Sequence, residues 1–201
     1  MLDLLLATTN PGKVEELRRL LAGVAGLRLH TPEELDLVLQ VSEDGADYAA
    51  NAALKARAYA GAGGMAALAD DSGLEVEALD GAPGLFSARY APQKGATDAD
   101  RRAYLLQQLA GKPRPWTARF RSTVCVATPG GALLTAEGAC RGEIIPEERG
   151  SHGFGYDAIF QLAGEDRTMA ELPMEQKNQL SHRARAIAAI QPELERMAGK
   201  S

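Results

Sequence analysis

Residues 2–23, LDLLLATTNPGKVEELRRLLAG, predict a β-strand, a loop and an α-helix in succession. The apolar run at 2–7 is typical of a buried strand, and the polar residues, proline and glycine at 8–12 interrupt it. Apolar side chains then recur at helical spacing, at Val14, Leu17, Leu20 and Leu21. Because strand and helix alternate from the start of the chain, this stretch places the protein in the α/β class.

The remainder of the chain continues to mix helices and strands. Helices are predicted at 45–61, at 98–111 behind a Thr97 cap and over most of 173–197, with a short strand at 65–69 and a loop at 81–92. Residues 118–129 and 132–145 alternate in polarity around two glycines, which predicts an antiparallel hairpin. No linker or repeat divides the sequence, so we expect one α/β domain over residues 1–201, with a mixed central sheet flanked by helices.

Composition excludes several classes of protein. The chain has 201 residues, of which 45% are apolar and 24% are charged, as is usual for a globular protein. Its net charge of −5 and its lack of a lysine- or arginine-rich block argue against a nucleic-acid-coating protein. No apolar run is long enough for a membrane helix, and the start does not resemble a signal peptide, so we expect a cytoplasmic protein without membrane partners. Cys125 and Cys140 are expected to be reduced thiols.

The loop TTNPGK, residues 8–13, lies between the first strand and the first helix. Backbone N–H groups at the start of a helix favour anions, and Lys13 would add a full positive charge there. The spacing of a Walker A motif is absent. The alternative is an ordinary strand-to-helix turn, in which Thr9 or Asn10 caps the helix and Lys13 is solvated.

The stretch LADDSGL, residues 68–74, places two carboxylates side by side where the apolar run ends. Adjacent carboxylates repel each other unless a cation, a proton or hydrogen-bond donors hold them, and Mg²⁺ between them and substrate phosphates is one solution. The pair could also deprotonate an attacking water. The alternative is a turn in which Asp70 or Asp71 caps backbone N–H groups and Gly73 takes a positive φ.

Two later segments offer groups that could bind a nucleobase. In SHGFGYD, residues 151–157, aromatic side chains stand between glycines, and an aromatic ring can stack on a base. Tyr156 and Phe160 could equally be core residues of a strand. In EQKNQLSHRARAI, residues 175–187, three donor side chains could converge if the helix breaks near Ser181, or they could form a solvated helix face: Lys177, His182 and Arg183.

The chain resembles the inosine/xanthosine triphosphate pyrophosphatase family over residues 2–190. The resemblance lies in the order and spacing of four stretches: TTNPGK (8–13), LADDSGLEVEALDGAPGLFSARY (68–90), HGFGYDAIF (152–160) and EQKNQLSHRARAI (175–187). The resemblance implies an elongated α/β domain with a substrate cleft, a homodimer and a Mg²⁺ requirement. It also implies hydrolysis of non-standard purine nucleoside triphosphates to the monophosphate and pyrophosphate. Two other functions remain open: a phosphohydrolase with an aspartyl nucleophile, and a non-catalytic nucleotide sensor.

The resemblance also assigns roles to individual residues. Asp71 matches the catalytic proton acceptor and Mg²⁺ ligand, and Glu43 is the candidate for a second metal carboxylate. The residues that match substrate contacts are Thr8, Thr9, Asn10, Pro11, Gly12, Lys13, Ser72, Phe154, Gly155, Tyr156, Asp157, Lys177, His182 and Arg183.

This chain departs from the family pattern at a few positions. Thr9 stands where relatives usually have glycine, and Ala158 where they have proline. Ser42 precedes Glu43 where many relatives carry two acids, which affects the assignment of the second metal ligand.

Overall fold

The computed structural model describes residues 1–199, which contain six β-strands, five α-helices and several short 3₁₀ turns. The strands are β1 Leu2–Leu6, β2 Leu27–His30, β3 Ala66–Val76, β4 Trp116–Ala127, β5 Leu133–Ile144 and β6 Phe160–Leu162. The helices are α1 Pro11–Leu21, α2 Tyr48–Gly63, α3 Asp98–Leu109, α4 Met174–Leu180 and α5 His182–Gly199. None of these helices combines the length and the apolarity that crossing a bilayer requires.

The six strands form one sheet in the order β2-β1-β3-β4-β5-β6. Strand β1 pairs in parallel with β2 and β3, whereas β5 and β6 are antiparallel, so the predicted mixed α/β sheet is confirmed. The predicted hairpin corresponds to β4 and β5, which are neighbours joined by residues 128–132. Strands β2 and β6 were not predicted, because runs of four and three residues carry little periodic signal.

The chain divides into two compact units, each with its own apolar core. Unit 1 comprises residues 1–71, 122–138 and 183–199, and unit 2 comprises residues 72–121 and 139–182. Strands β3, β4 and β5 contribute residues to both units. The single domain over 1–201 stays a prediction. Cys125 in unit 1 and Cys140 in unit 2 are buried thiols and form no disulfide with each other.

Alternation along β1 and β3 divides the core of unit 1 between two faces of the sheet. Leu4, Leu6 and Leu68 belong to a cluster that includes the apolar residues of α1 and α5. Leu5 and Ala67 belong to a second cluster that includes those of α2. Successive side chains on a strand point to opposite faces, so helices cover both faces of this part of the sheet.

Local signals explain where the helices begin and end. Asn10 caps α1, accepting from the Lys13 N–H at 3.1 Å, and the first helical residue is Pro11. The helix therefore begins within residues 8–12, which were predicted to interrupt the strand before the helix. Thr97 and Asp100 form a capping box at α3, which confirms the predicted cap. The chain is extended at Ser181, between α4 and α5, so the predicted helix break is confirmed as well.

Strand β3 corrects one expectation about LADDSGL. The strand was expected to end at Ala69, but it continues to Val76, and both Asp70 and Asp71 lie inside it. The alternative of a turn at these aspartates is therefore wrong. Two like charges fit within a strand here because adjacent residues face opposite sides of the sheet and each carboxylate has its own cationic partner.

We expect that Gly142→Ala destabilises unit 2, because β5 and β6 leave no room for a side chain at this position. An added Cβ would lie 2.1 Å from the Gln161 carbonyl oxygen and 2.7 Å from the Phe160 ring. Urea denaturation should show a loss of about 1–3 kcal/mol in the free energy of unfolding. The matched control, Gly61→Ala in α2, meets no atom within 4 Å and should gain about 0.5–1 kcal/mol. Equal changes in the free energy of unfolding for the two substitutions would contradict the close packing of Gly142 against β6.

Candidate active site

Asp70 and Asp71 face opposite sides of the sheet in unit 1. Asp70 lies on the side covered by α1 and α5, where its partners come from both helices. Asp71 lies on the side covered by α2, where it accepts hydrogen bonds from Asn51 and Lys55 of that helix. The two carboxylates are therefore separate sites with separate tasks, and they do not form one shared metal-binding pair.

Asp70 belongs to a buried cluster of four charged groups, which we call the Asp70 cluster: Glu16, Lys13, Arg183 and Asp70. The Asp70 carboxylate is 2.8 Å from the Lys13 ammonium and 3.0 Å from the Arg183 guanidinium. Arg183 also pairs with Glu16, and the Ser122 hydroxyl donates to Asp70. Two positive and two negative charges balance each other, which makes their burial possible.

The environment shifts the pKa values of three groups of the Asp70 cluster: Asp70, Lys13 and Arg183. Burial by itself raises the pKa of Asp70, but Arg183 and Lys13 outweigh it and hold that pKa well below its ordinary value. Burial lowers the pKa of Lys13, and Asp70 offsets part of this effect. For Arg183 burial acts downward, yet Asp70 and Glu16 raise its pKa above the ordinary value. Asp70 and Arg183 are therefore a fixed ion pair.

Asp71 is held at both carboxylate oxygens by α2. The Lys55 ammonium donates to Oδ1 at 3.0 Å, and the Asn51 side chain donates to Oδ2 at 3.3 Å. Asn51 and Lys55 are four residues apart and so share one face of the helix. Asp71 is only 7% exposed. A carboxylate fixed in this way keeps one orientation, as a general base requires.

Glu43 meets the same ammonium as Asp71. Its carboxylate lies 3.2 Å from the Lys55 Nζ, so the two predicted metal ligands converge on one cation position. Burial lowers the pKa of Lys55, but Asp71 and Glu43 outweigh burial and raise it. Within residues 1–199, no group of three acidic, histidine or cysteine side chains could hold a metal ion. Two carboxylates are consistent with Mg²⁺, which takes its other ligands from waters and phosphates.

Sequence reasoning missed Asn51 and Lys55. The helix 45–61 was predicted, but no role was given to its polar residues. The available signal was an amide and a lysine at i, i+4 among alanines, since polar residues on a helix face that is otherwise small and apolar need partners when buried.

The predicted anion-binding loop lies at the start of α1. Thr8 Oγ1 accepts from the Asn10 N–H at 3.2 Å, and Thr9, Asn10 and Pro11 are exposed. The alternative of an ordinary turn is right about the Asn10 cap and wrong about Lys13. The Lys13 side chain is only 16% exposed, because Asp70 holds it. Lys13 is thus fixed beside the helix N-terminus, which itself favours anions.

The predicted base-binding loop, residues 154–157, lies in unit 2 and is only partly a surface. Tyr156 belongs to the apolar core, with its hydroxyl donating to the Ser87 carbonyl at 2.9 Å, and Phe160 is fully buried. Both rings are therefore core residues, as the alternative predicted, although only Phe160 lies in a strand. Phe154 is half-buried, so its ring is the one available for stacking.

The donors Lys177 and His182 are buried in unit 2. Lys177 Nζ lies 2.6 Å from Asp157 Oδ2 and 5.0 Å from the centre of the Phe154 ring. His182 stacks on Phe120, with ring centres 4.8 Å apart. Lys177 is 2% exposed and His182 is 5% exposed, so the alternative of a solvated helix face is wrong. Substrate binding by these residues stays a prediction, as it does for Arg183 and the half-buried Ser72.

Helix α3 holds the predicted base-binding loop at Gly155. The Gly155 N–H donates to the Asp98 carboxylate at 2.7 Å, and its carbonyl accepts from Arg102 at 2.9 Å. Arg102 is itself fixed by a two-pronged ion pair with Glu148, at 2.9 and 2.8 Å. Both backbone groups of Gly155 are therefore tied to one rigid helix.

Comparison with known proteins assigns the chain to a family. The model of the Ham1 family matches residues 4–193. The chain belongs to the Ham1 family. Among the curated Ham1 relatives, the dITP/XTP pyrophosphatase of Desulfotalea psychrophila is 48% identical over 94% of this chain and 84% of its own length. That of Desulforamulus reducens is 46% identical over 98% and 97%. The family resemblance found in the motifs is confirmed.

Solved structures of Ham1 proteins share this fold. The HAM1 protein of Coxiella burnetii has a TM-score of 0.86 and 39% identity, covering 96% of this chain and 98% of its own. The Ham1 protein of Staphylococcus aureus has a TM-score of 0.84 and 36% identity, covering 99% and 100%. The mixed α/β architecture is thus that of the Ham1 fold.

We expect Asp70→Asn to destabilise the protein severely. The substitution preserves shape but leaves Arg183 and Lys13 as buried cations without their shared carboxylate. Losing one partner of a buried ion pair costs about 3–5 kcal/mol, which urea denaturation followed by circular dichroism would measure. Asp44→Asn, at an exposed position, is the control and should change stability by less than about 0.5 kcal/mol. A loss as small as the control's would mean that the Asp70 cluster is not a fixed ion pair.

We expect Asp98→Ala to loosen the loop at Gly155. A hydrogen bond to a charged acceptor contributes about 1.5–3 kcal/mol, so the Gly155 amide should exchange its hydrogen about tenfold faster or more. Amide exchange followed by NMR measures this rate. Asp98→Asn retains an acceptor oxygen and should exchange more slowly than Asp98→Ala. Identical exchange in the wild type and Asp98→Ala would show that α3 does not hold the loop.

Proposed function

We propose that this protein hydrolyses non-standard purine nucleoside triphosphates, ITP, dITP and XTP, to the monophosphate and pyrophosphate. The observation that carries the proposal is Asp71, a buried carboxylate held at both oxygens and converging with Glu43 on one cation position. The comparison with relatives also supports the proposal, because the two Ham1 relatives named above are dITP/XTP pyrophosphatases. Hydrolysis of these triphosphates would remove them from the nucleotide pool.

Asp71 and Glu43 are the residues that would hold Mg²⁺. Their oxygens are the hard donors that this ion prefers, and a site with two protein carboxylates leaves the other ligand positions to waters and phosphates. When bound there, Mg²⁺ would neutralise charge on the phosphate oxygens.

The residues of unit 1 bind the phosphates and activate the attacking water. The N-terminus of α1 and the loop 8–13 bind phosphate oxygens through backbone N–H groups and the Lys13 ammonium. Asp71 accepts the proton of the water that attacks the α-phosphorus, and Asn51 and Lys55 keep its carboxylate in position. Pyrophosphate leaves, and the positive groups of the loop offset its charge.

The residues of unit 2 recognise the base. Phe154 offers a half-buried ring for stacking, and α3 fixes the loop that carries it. Hypoxanthine and xanthine carry a 6-oxo acceptor where adenine carries a 6-amino donor, so a protein donor at that position rejects ATP. Lys177 and His182 are the candidate donors in this unit, and an unmatched buried donor costs about 1–3 kcal/mol.

We also propose that the enzyme is a homodimer that acts in the cytoplasm. The homodimer is implied by the family resemblance of the motifs, whereas the cytoplasmic location is an expectation from the composition of the chain. Light scattering on a size-exclusion column measures the molar mass in solution, and therefore tests the homodimer directly.

We expect the purified protein with Mg²⁺ to release pyrophosphate from ITP, dITP and XTP, much less from GTP and ATP, and none in EDTA. Pyrophosphate and phosphate are assayed separately, because release of phosphate would instead indicate cleavage of the terminal bond or an aspartyl nucleophile. Asp71→Asn removes the general base and should lower kcat by about 10²–10⁴-fold.

The exposed Asp44→Asn, which makes the same chemical change, is the control and should retain full activity. Tight nucleotide binding without turnover in the wild type would contradict the proposal and favour a nucleotide sensor. Full turnover by Asp71→Asn would remove Asp71 from the mechanism.

A further inference from the structure

The Lys55 ammonium occupies the position on which the two candidate metal ligands converge. Its Nζ lies 3.0 Å from Asp71 Oδ1 and 3.2 Å from Glu43 Oε1. A third acceptor, the Asp70 carbonyl oxygen, lies 3.0 Å away. A lysine ammonium has three N–H donors, and here each has an acceptor. The ammonium of Lys55 is therefore itself a cation at this position.

Helix α2 fixes this arrangement in place. One turn before Lys55, Asn51 donates to the other oxygen of Asp71, and its own oxygen accepts from the Gly45 N–H at 2.8 Å. Asn51 thereby ties the segment that carries Glu43 to the same helix face that holds Asp71. Only 11% of the Lys55 side chain is exposed, so water screens its charge poorly.

We propose that Lys55 is a resident counter-ion of Asp71 and Glu43, and that it lowers the affinity of the nucleotide-free protein for Mg²⁺. This inference rests on the proposed function, since it takes Asp71 and Glu43 as the metal ligands. With Lys55 the three groups carry a net charge of −1, and without it −2. An ammonium in contact with both ligands repels a divalent cation. The negative charge of a bound triphosphate offsets that repulsion, so the metal binds with the nucleotide.

The experiment titrates MgCl₂, and MnCl₂ as a second probe, into nucleotide-free protein by isothermal calorimetry. Lys55→Met and Lys55→Gln remove the charge and should bind the metal at least tenfold more tightly than the wild type. Lys55→Arg keeps the charge and should bind as weakly as the wild type. Lys94→Met, at an exposed position, makes the same change in net charge and should leave the affinity unaltered.

Two results would overturn the proposal. One is an unchanged or weaker metal affinity in Lys55→Met and Lys55→Gln. The other is a gain in affinity that survives when Asp71→Asn is added to Lys55→Met, because the metal would then bind elsewhere.

The folding of the neutral variants is also decisive. If both fold only when Mg²⁺ is present, the metal replaces the ammonium and the proposal stands. If both remain unfolded at saturating Mg²⁺, Lys55 has a role that the metal does not share, and the proposal fails.

An assay of pyrophosphate release by the wild type runs in parallel. If the wild type releases pyrophosphate but the Lys55 variants show no gain in metal affinity, the counter-ion proposal is overturned and the proposed function stands. Absence of turnover overturns the proposed function, while the titrations still decide the role of Lys55.

Discussion

The buried negative charge of Asp70 is the constraint on which the arrangement of unit 1 depends. An isolated carboxylate at this depth would be strongly unfavourable, so its partners must be in place when the sheet forms. Arg183 comes from α5 and Lys13 from α1, and the Ser122 hydroxyl comes from β4. A single carboxylate thus fixes two helices and a neighbouring strand relative to β3.

The same constraint positions the Lys13 ammonium in the predicted anion-binding loop, residues 8–13. A lysine at a helix N-terminus is ordinarily mobile, and ordering it on binding costs conformational entropy. Here Asp70 holds Lys13 beside the first turn of α1. If the loop binds phosphate as proposed, the phosphate competes with Asp70 for the Lys13 ammonium. Arg183, the other cation of the cluster, would remain paired with Asp70.

Much of the fold follows from local patterns in the sequence, and what does not follow has physical reasons. The hairpin of β4 and β5 and the capped start of α3 were predictable, because alternation and capping are local signals. Strand β3 was predicted too short, since two adjacent carboxylates ordinarily end a buried strand. Its continuation depends on Arg183, which is more than a hundred residues away in the chain. No local pattern contains such a pairing.

The candidate site shows the same limit. The motifs locate Asp71 and the loop at 154–157, but the groups that orient them lie elsewhere in the sequence. Asn51 and Lys55 orient Asp71 from α2, and Asp98 and Arg102 hold Gly155 from α3. Charge pattern alone does not separate these residues from solvated ones, since only the packing of each helix decides which of its faces is buried.

Alanine explains how α2 brings a side chain as short as asparagine to Asp71. The apolar residues of α2 in the cluster on this face include Ala52, Ala56 and Ala60, and those of β3 are Ala67 and Ala69. Small side chains at a contact allow two elements to approach closely, because the separation depends on the side chains between them. A leucine in place of any of these alanines would push the helix outward, and the 3.3 Å contact from Asn51 to Asp71 would open. The alanines of 45–61 have no functional groups of their own. Their small size nevertheless allows Asn51 and Lys55 to reach the candidate catalytic carboxylate, Asp71.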